Sequence, residues 1–293
     1  MEEHFALIRG LDRAPTGDEV VAELAAFHAA HPGVTEASVG AMRDDAGLTS
    51  YARLASRVPD GARTVLEVGC GNGPLLAELL ARRPAFERVT GVDACAAEVA
   101  RARARFDDPR LCLHTADMRA LPSEIAPVDA IVSHHALYIV RPIELALGSL
   151  ARALKPGGTL TMVHWSPEAT EHRPFAEMIT AFGALTARDV PHFRGWGDPR
   201  MFSRDAMTAL FEACGFGAAP ALSIDCHAVH ATEPVDDAVE RLIRFFYSAH
   251  LQRPETRAAL RETWRAMLSR EATAEGVVRH TFPYAVITVT RGS

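Results

Sequence analysis

The segment 66–73, Leu-Glu-Val-Gly-Cys-Gly-Asn-Gly, places a glycine at every second position after an apolar, β-rich run (64–68) and before a helical run (75–81). A chain that passes from strand to helix through side-chain-free positions can bring its backbone close to a ligand, because glycine takes unusual φ values at no steric cost. The N-terminus of the following helix turns unpaired N–H groups toward a negative group. The order strand, turn, helix repeats downstream. Residues 89–92 read as a second strand ending in Asp93, and 96–105 as an Ala- and Arg-rich helix. Segments 111–114, 130–133 and 159–164 supply three more strands with helical stretches between them. This alternation predicts an α/β fold in which a parallel sheet carries helices on both faces.

Beyond His164 the rhythm changes, and 166–196 holds a helix and a polar loop where the next strand would stand. A helix follows over 203–213, with Ser203 as N-cap and Gly215 just past its end. Then come a strand over 221–226, helices over 235–246 and 254–270, and an alternating final strand over 284–290. Ahead of the core, residues 1–58 are Ala-rich with apolar positions at helical spacing, which predicts two or three helices. The expected organisation is an N-terminal helical cap over 1–58 and one core over 59–293 with cap insertions at about 166–202 and 234–275. At 293 residues and 48% hydrophobic, the chain can bury a core of that size.

A net charge of -6 and a pI near 6.1 argue against a phosphate-backbone partner. No apolar run is long enough to cross a bilayer and the first ten residues lack a signal-peptide pattern, so the expectation is a cytoplasmic protein without membrane contact. The five cysteines are scattered, with no Cys-x-x-Cys pair, so neither a disulfide framework nor a metal site is expected. A monomer or homodimer acting on a small molecule is the expected state.

The turn does not suit a dinucleotide. A G-x-G-x-x-G count from Gly69 and Gly71 lands on Pro74. Glu67 at the strand end suits an ammonium, while the glycine turn and helix N-terminus suit a carboxylate. Asp93, twenty residues after Gly73, stands where a carboxylate accepts hydrogen bonds from a ribose diol. Asp117 can face an adenine amine and Met118 its ring, and Lys155-Pro156-Gly157-Gly158 precedes the fifth strand. With these motifs in order over roughly 50–165, the sequence resembles the class I S-adenosylmethionine-dependent methyltransferases of small-molecule type.

The resemblance implies a Rossmann-like, mostly parallel seven-stranded sheet with a helical cap, S-adenosylmethionine as donor and S-adenosylhomocysteine as product. It places Tyr51, Glu67, Gly69, Gly71, Asn72, Gly73, Asp93, Ala94, Asp117, Met118 and His134 at the cofactor. The acceptor, reacting through N, O or C, then sits above the fourth and fifth strand ends, among His135, Tyr138, His164, Trp165, Glu168 and His172. Imidazoles titrate near neutrality, so His135, and after it His164, is the candidate general base; Tyr138 and Trp165 are candidate acceptor contacts. A weaker resemblance to histamine N-methyltransferase-like enzymes assigns Glu36 and His280 to the substrate. His280 departs from the neutral amide expected there, which leaves an amine acceptor open. Two other readings stand beside methyl transfer: cyclisation or elimination within the cofactor, and non-catalytic binding of cofactor or partner.

Overall fold

The computed structural model describes residues 5–82, 85–165, 173–186, 189–193 and 195–292. Seven strands form one sheet: β1 (Thr64–Val68), β2 (Arg88–Asp93), β3 (Leu111–Thr115), β4 (Val128–His134), β5 (Leu154–His164), β6 (Leu222–Pro234) and β7 (Val277–Thr290). Their order is β3-β2-β1-β4-β5-β7-β6. The first five pair in parallel and β7 runs antiparallel to both β5 and β6, which is the mostly parallel Rossmann-like sheet expected. After β3 the chain crosses back to lay β4 on the other side of β1. The loops leaving β1 and β4 therefore diverge, and such a switch point opens a crevice at the carboxyl ends of the strands.

The continuous apolar run in β1 reflects burial on both faces. Leu66 and Val68 pack with Val92, Ile131, Leu147 and Leu150, the last two from helix α7 (Ile143–Ala153). Val65 packs oppositely with Val89, Val132 and with Leu75, Leu76 and Leu79 of α5 (Pro74–Arg82). Each fully buried leucine contributes roughly 1.5–3 kcal/mol by leaving water. The helix α6 (Ala96–Arg105) links β2 to β3.

Among the described residues four helices precede β1: α1 (Ala6–Gly10), α2 (Gly17–Ala30), α3 (Val34–Val39) and α4 (Ser50–Ala55), more than the two or three read from periodicity. The breaks are local. Thr16 and Glu19 form a capping box at the start of α2, Gly33 at φ 70 separates α2 from α3, and Thr49 accepts from the Ala52 N–H to start α4. The helix read over 203–213 is α9 (Arg204–Phe211) followed by a π turn (Glu212–Phe216) that contains Gly215 at φ 93. Ser203 stands at its N-cap without a side-chain cap bond.

The terminal hairpin is longer than its apolar pattern. β6 and β7 pair from Leu222↔Val289 to Pro234↔Val277, through polar positions such as His227, His230 and Thr232 on an edge strand. The inserted helices α8 (Arg173–Thr186), α10 (Val235–Phe245), α11 (Tyr247–His250) and α12 (Pro254–Ser269) build a separate core around Trp264, Leu242 and Met178. Another cluster joins Phe5, Val20 and Phe27 of the N-terminal segment to Val190 and Leu251 of the insertions. Residues 166–172 of the first insertion, including Glu168 and His172, lie outside the described residues. Among the described residues no helix is long and apolar enough to cross a membrane.

Candidate active site

The glycine turn sits at the mouth of the crevice, and its three glycines do different work. Gly69, Gly71 and Gly73 have φ of 72, 52 and 88. A Cβ on Gly69 would stand 2.2 Å from the Ala136 Cβ, and one on Gly73 2.5 Å from the Phe106 ring. These two let the turn pack against the exits of β4 and α6. A Cβ on Gly71 meets nothing within 4 Å among the described residues, so the middle position faces open space. The Gly71 N–H donates to Asp93 Oδ2 and the Cys95 N–H to Oδ1, both at 2.8 Å. Those two bonds fix the carboxylate at the end of β2. Burial raises the Asp93 pKa against the pull of these donors.

One lobe of the cleft is lined by Tyr51, Glu67, Gly69, Gly71, Asn72, Asp93 and His134. Glu67 is 1% exposed and its Oε2 has no hydrogen-bond partner among the described residues. Burial, and then the Asp93 charge, pushes its carboxyl well above the usual range. An orphaned buried carboxyl at a cleft wall fits a cationic group, which would restore its charged form. The second lobe shares Gly69, Asp93 and Ile139 and adds Val92, Ala94 and Met118, an apolar slot suited to a flat ring. The donor set thus fits S-adenosylmethionine.

Asp117 lines the second lobe with its carboxylate already engaged. Oδ1 accepts from the Arg119 N–H at 2.8 Å, and Oδ2 from the Arg119 guanidinium at 2.9 and 2.6 Å. Asp117 caps a 3-10 turn and holds an arginine that reaches Asp18 on α2, while still lining the slot.

His134 stacks on Tyr51 with centroids 3.9 Å apart, and its Nε2 lies 2.8 Å from Ser50 Oγ. His135 and His164 overturn the expectation of a base near neutrality. Burial, and then His164, brings the His135 imidazole down to about 3, and burial brings His164 to about 4. A base that weak is a poor proton acceptor, since general-base efficiency peaks when the pKa lies near the working pH. His164 Nδ1 donates to the Trp165 carbonyl, which leaves a buried Nε2 lone pair without a partner among the described residues. His135 lies edge-on to Phe245 at 5.2 Å. The sequence reading took the imidazole's ordinary pKa, and burial changes it.

Beyond the cofactor cleft opens a cavity of about 770 Å³ walled by Tyr138, Trp165, Phe202, Phe245, Phe246 and Tyr247, with Arg141, Glu144, Asp198 and Arg200 on its polar side. Tyr138 and Trp165, both singled out in the sequence, share this cavity wall. Tyr247 belongs to both the cleft and the cavity. Its hydroxyl lies 3.0 Å from His28 Nε2, and His28 Nδ1 is 3.4 Å from Glu98 Oε1, which also accepts from the Gly33 N–H at 2.7 Å. Burial pushes the Tyr247 phenol up to about 12. His28, Glu98 and Tyr247 are not singled out by the sequence, because no local motif joins residues from α2, α6 and α11.

The structure separates the two remaining candidates from the acceptor cavity. Glu36, on α3, accepts from Asn72 Nδ2 at 2.6 Å and from Arg105 at 3.1 Å, which places it beside the glycine turn. His280 lines neither the cleft nor the cavity. Its Nε2 lies 2.7 Å from Glu233 Oε1, and Glu233 binds Arg241, which donates to the Ser38 carbonyl. This chain of bonds ties the terminal hairpin to α3 and α10, so His280 is a structural strut here.

Fold and cleft are similar to those of class I S-adenosylmethionine-dependent methyltransferases. Residues 65–158 match the methyltransferase domain family. Over 112 residues the chain is 41% identical to an uncharacterized methyltransferase of Mycobacterium tuberculosis, a stretch covering 38% of this chain and 55% of that protein. Over 110 residues it is 38% identical to a trans-aconitate 2-methyltransferase of Azoarcus sp., covering 37% of this chain and 42% of that one. A 2-phytyl-1,4-naphthoquinone methyltransferase of Thermosynechococcus vestitus is 36% identical over 115 residues, covering 39% and 50%. The chain thus spans about half the length of the curated relatives it matches. Among solved structures, the YcgJ protein of Bacillus subtilis superposes with a TM-score of 0.54 at 17% identity, covering 83% of this chain and 98% of that one. The [4+2]-cyclase SpnF superposes with a TM-score of 0.56 at 19% identity, covering 96% and 98%. At such identities the likeness is one of fold.

Proposed function

We propose that this protein transfers a methyl group from S-adenosylmethionine to an N, O or C atom of a small, partly aromatic or hydrophobic molecule. The observation that carries the reading is that Tyr247 belongs to the walls of both the Glu67–Gly71–Asp93 cleft and the aromatic cavity. When bound, the cofactor supplies a methyl group activated on a sulfonium. Glu67 takes the ammonium of the methionine head, the turn N–H groups its carboxylate, and Asp93 the ribose. Ala94 and Met118 flank the adenine, and Tyr51 on His134 walls the methionine side.

The acceptor lies between Tyr138, Trp165 and Tyr247. Residues 1–58 and the segments at about 166–202 and 234–275 act as the cap over a core of 59–293, excluding water. Alignment and desolvation, rather than a histidine base, then carry the rate. The Tyr247 phenol remains protonated and can donate a hydrogen bond to the acceptor or accept one from it. The proposal takes the protein as a cytoplasmic monomer or homodimer acting on a small molecule, without a nucleic-acid or membrane partner. Incubating the protein with S-adenosylmethionine and a panel of aromatic acceptors, with mass spectrometry of all products, tests this. S-adenosylhomocysteine together with a methylated acceptor is the expected result. Cofactor consumed without a methylated acceptor would favour cyclisation or elimination.

A further inference from the structure

The aromatic cavity contains a guanidinium that forms an ion pair with neither carboxylate of its wall. Arg141 lines the cavity and is half-buried. Its Nη2 donates to the carbonyls of Gly195 and Gly197 at 2.5 and 2.8 Å, and the guanidinium carbon lies 5.9 Å from the Phe193 ring centroid. The two carboxylates of the same wall, Glu144 and Asp198, are both taken by Arg200, each at 2.6 Å. No carboxylate stands within ion-pair distance of Arg141 among the described residues, and its Nε and Nη1 have no hydrogen-bond partner there. Burial accordingly lowers its pKa, with Asp198 only opposing that pull.

A desolvated guanidinium facing aromatic walls with donors to spare is costly unless an anion completes it. Holding the 195–197 loop uses one nitrogen of three. That loop contact does not require a charge, since a neutral amide donates to a carbonyl equally well. Carboxylates are the anions a guanidinium fork matches in shape, through two parallel charge-assisted bonds.

We propose that Arg141 receives a carboxylate of the acceptor, so that the substrates of this cavity are partly aromatic carboxylic acids. This rests on the cavity being the acceptor site. The acid docks at Arg141 while its ring system lies along Trp165, Phe202 and Phe246 toward Tyr247. Other charged classes are disfavoured by the same wall: an ammonium would face the unpaired guanidinium, and the carboxylates that could offset it are held by Arg200.

Calorimetry on the full chain, saturated with S-adenosylhomocysteine, tests this with 2-naphthoic acid, 2-naphthamide and 2-naphthylmethylamine, which share one ring system and differ in charge. The acid should bind about tenfold tighter than the amide, the gain of a charge-assisted over a neutral pair, and the amine weakest. Arg141→Gln should erase the gap between acid and amide while keeping affinity for the amide and for S-adenosylhomocysteine; Arg141→Lys should keep part of the gap. Equal binding of acid and amide by the unmodified protein, a gap that survives in Arg141→Gln, or no binding of any of the three overturns the proposal. The comparison of acid with amide on the unmodified protein decides the matter even if a variant fails to fold. The S-adenosylhomocysteine titration of the unmodified protein is read separately, and its failure would count against the methyltransferase reading instead.

Discussion

At the residue scale the site is governed by what burial does to charge. Glu67 is a carboxyl held above its ordinary pKa, so its contribution to stability is present below the unfolded value and lost as pH rises toward neutrality. Glu67→Gln should therefore raise the melting temperature of the ligand-free protein at pH 7 and weaken S-adenosylhomocysteine binding, and calorimetry of both transitions checks it. Asp93→Ala should cost about 1.5–3 kcal/mol of cofactor affinity, since hydrogen bonds to a charged group are lost. Unchanged affinity in a folded variant would remove Asp93 from the site. His135 and His164 have depressed pKa values, about 3 and 4, so their stability is complete above the unfolded value near 6.5 and lost as pH falls toward those values. Urea midpoints between pH 7.5 and 4.5 should fall less steeply in a His135→Asn, His164→Asn variant, by up to about 1.4 kcal/mol per pH unit per histidine. Equal slopes would contradict the burial argument. Glu67 and Asp93 were legible in the sequence because strand ends and turn spacing fix where they stand. The roles of His135 and His164 were not, because protonation depends on neighbours distant in the chain.

At the scale of elements, the glycine turn separates folding from binding. Gly73→Ala must move the Phe106 ring and adopt a strained φ, so it should lower stability by roughly 1–3 kcal/mol. Gly71→Ala carries the strained φ alone, about 1–2 kcal/mol, but puts a methyl group into the cleft, so its larger effect should be on S-adenosylhomocysteine affinity. Melting curves and titrations of the two variants side by side check this, and the reverse ranking would mean that the turn does not face the ligand. Strands β1 to β5 were readable because they carry apolar runs bounded by turn residues, buried in all of them but β3. The second half of β6 and the first half of β7 were not: their positions alternate with histidine, threonine and arginine, and Pro283 lies within the pairing. The capping box of Thr16 and Glu19 was present in the sequence as a T-x-x-E signal and, combined with Gly33, would have given the correct helix count.

At the scale of the whole molecule, the active site is a product of three distant parts of the chain. His28 comes from α2 ahead of the sheet, Asp93 and Glu98 from the end of β2 and from α6, and Tyr247 from α11 between β6 and β7. Only folding brings them together, which is why Glu67, Gly71 and Asp93 could be read from motifs while His28, Glu98 and Tyr247 could not. The central claim is that the Glu67–Gly71–Asp93 cleft binds S-adenosylmethionine. Isothermal titration of the purified chain with S-adenosylhomocysteine and, in parallel, with NAD tests it most directly. The account requires one saturable site for S-adenosylhomocysteine, weakened in Asp93→Ala, and no NAD binding; saturable NAD binding with none for S-adenosylhomocysteine would contradict it.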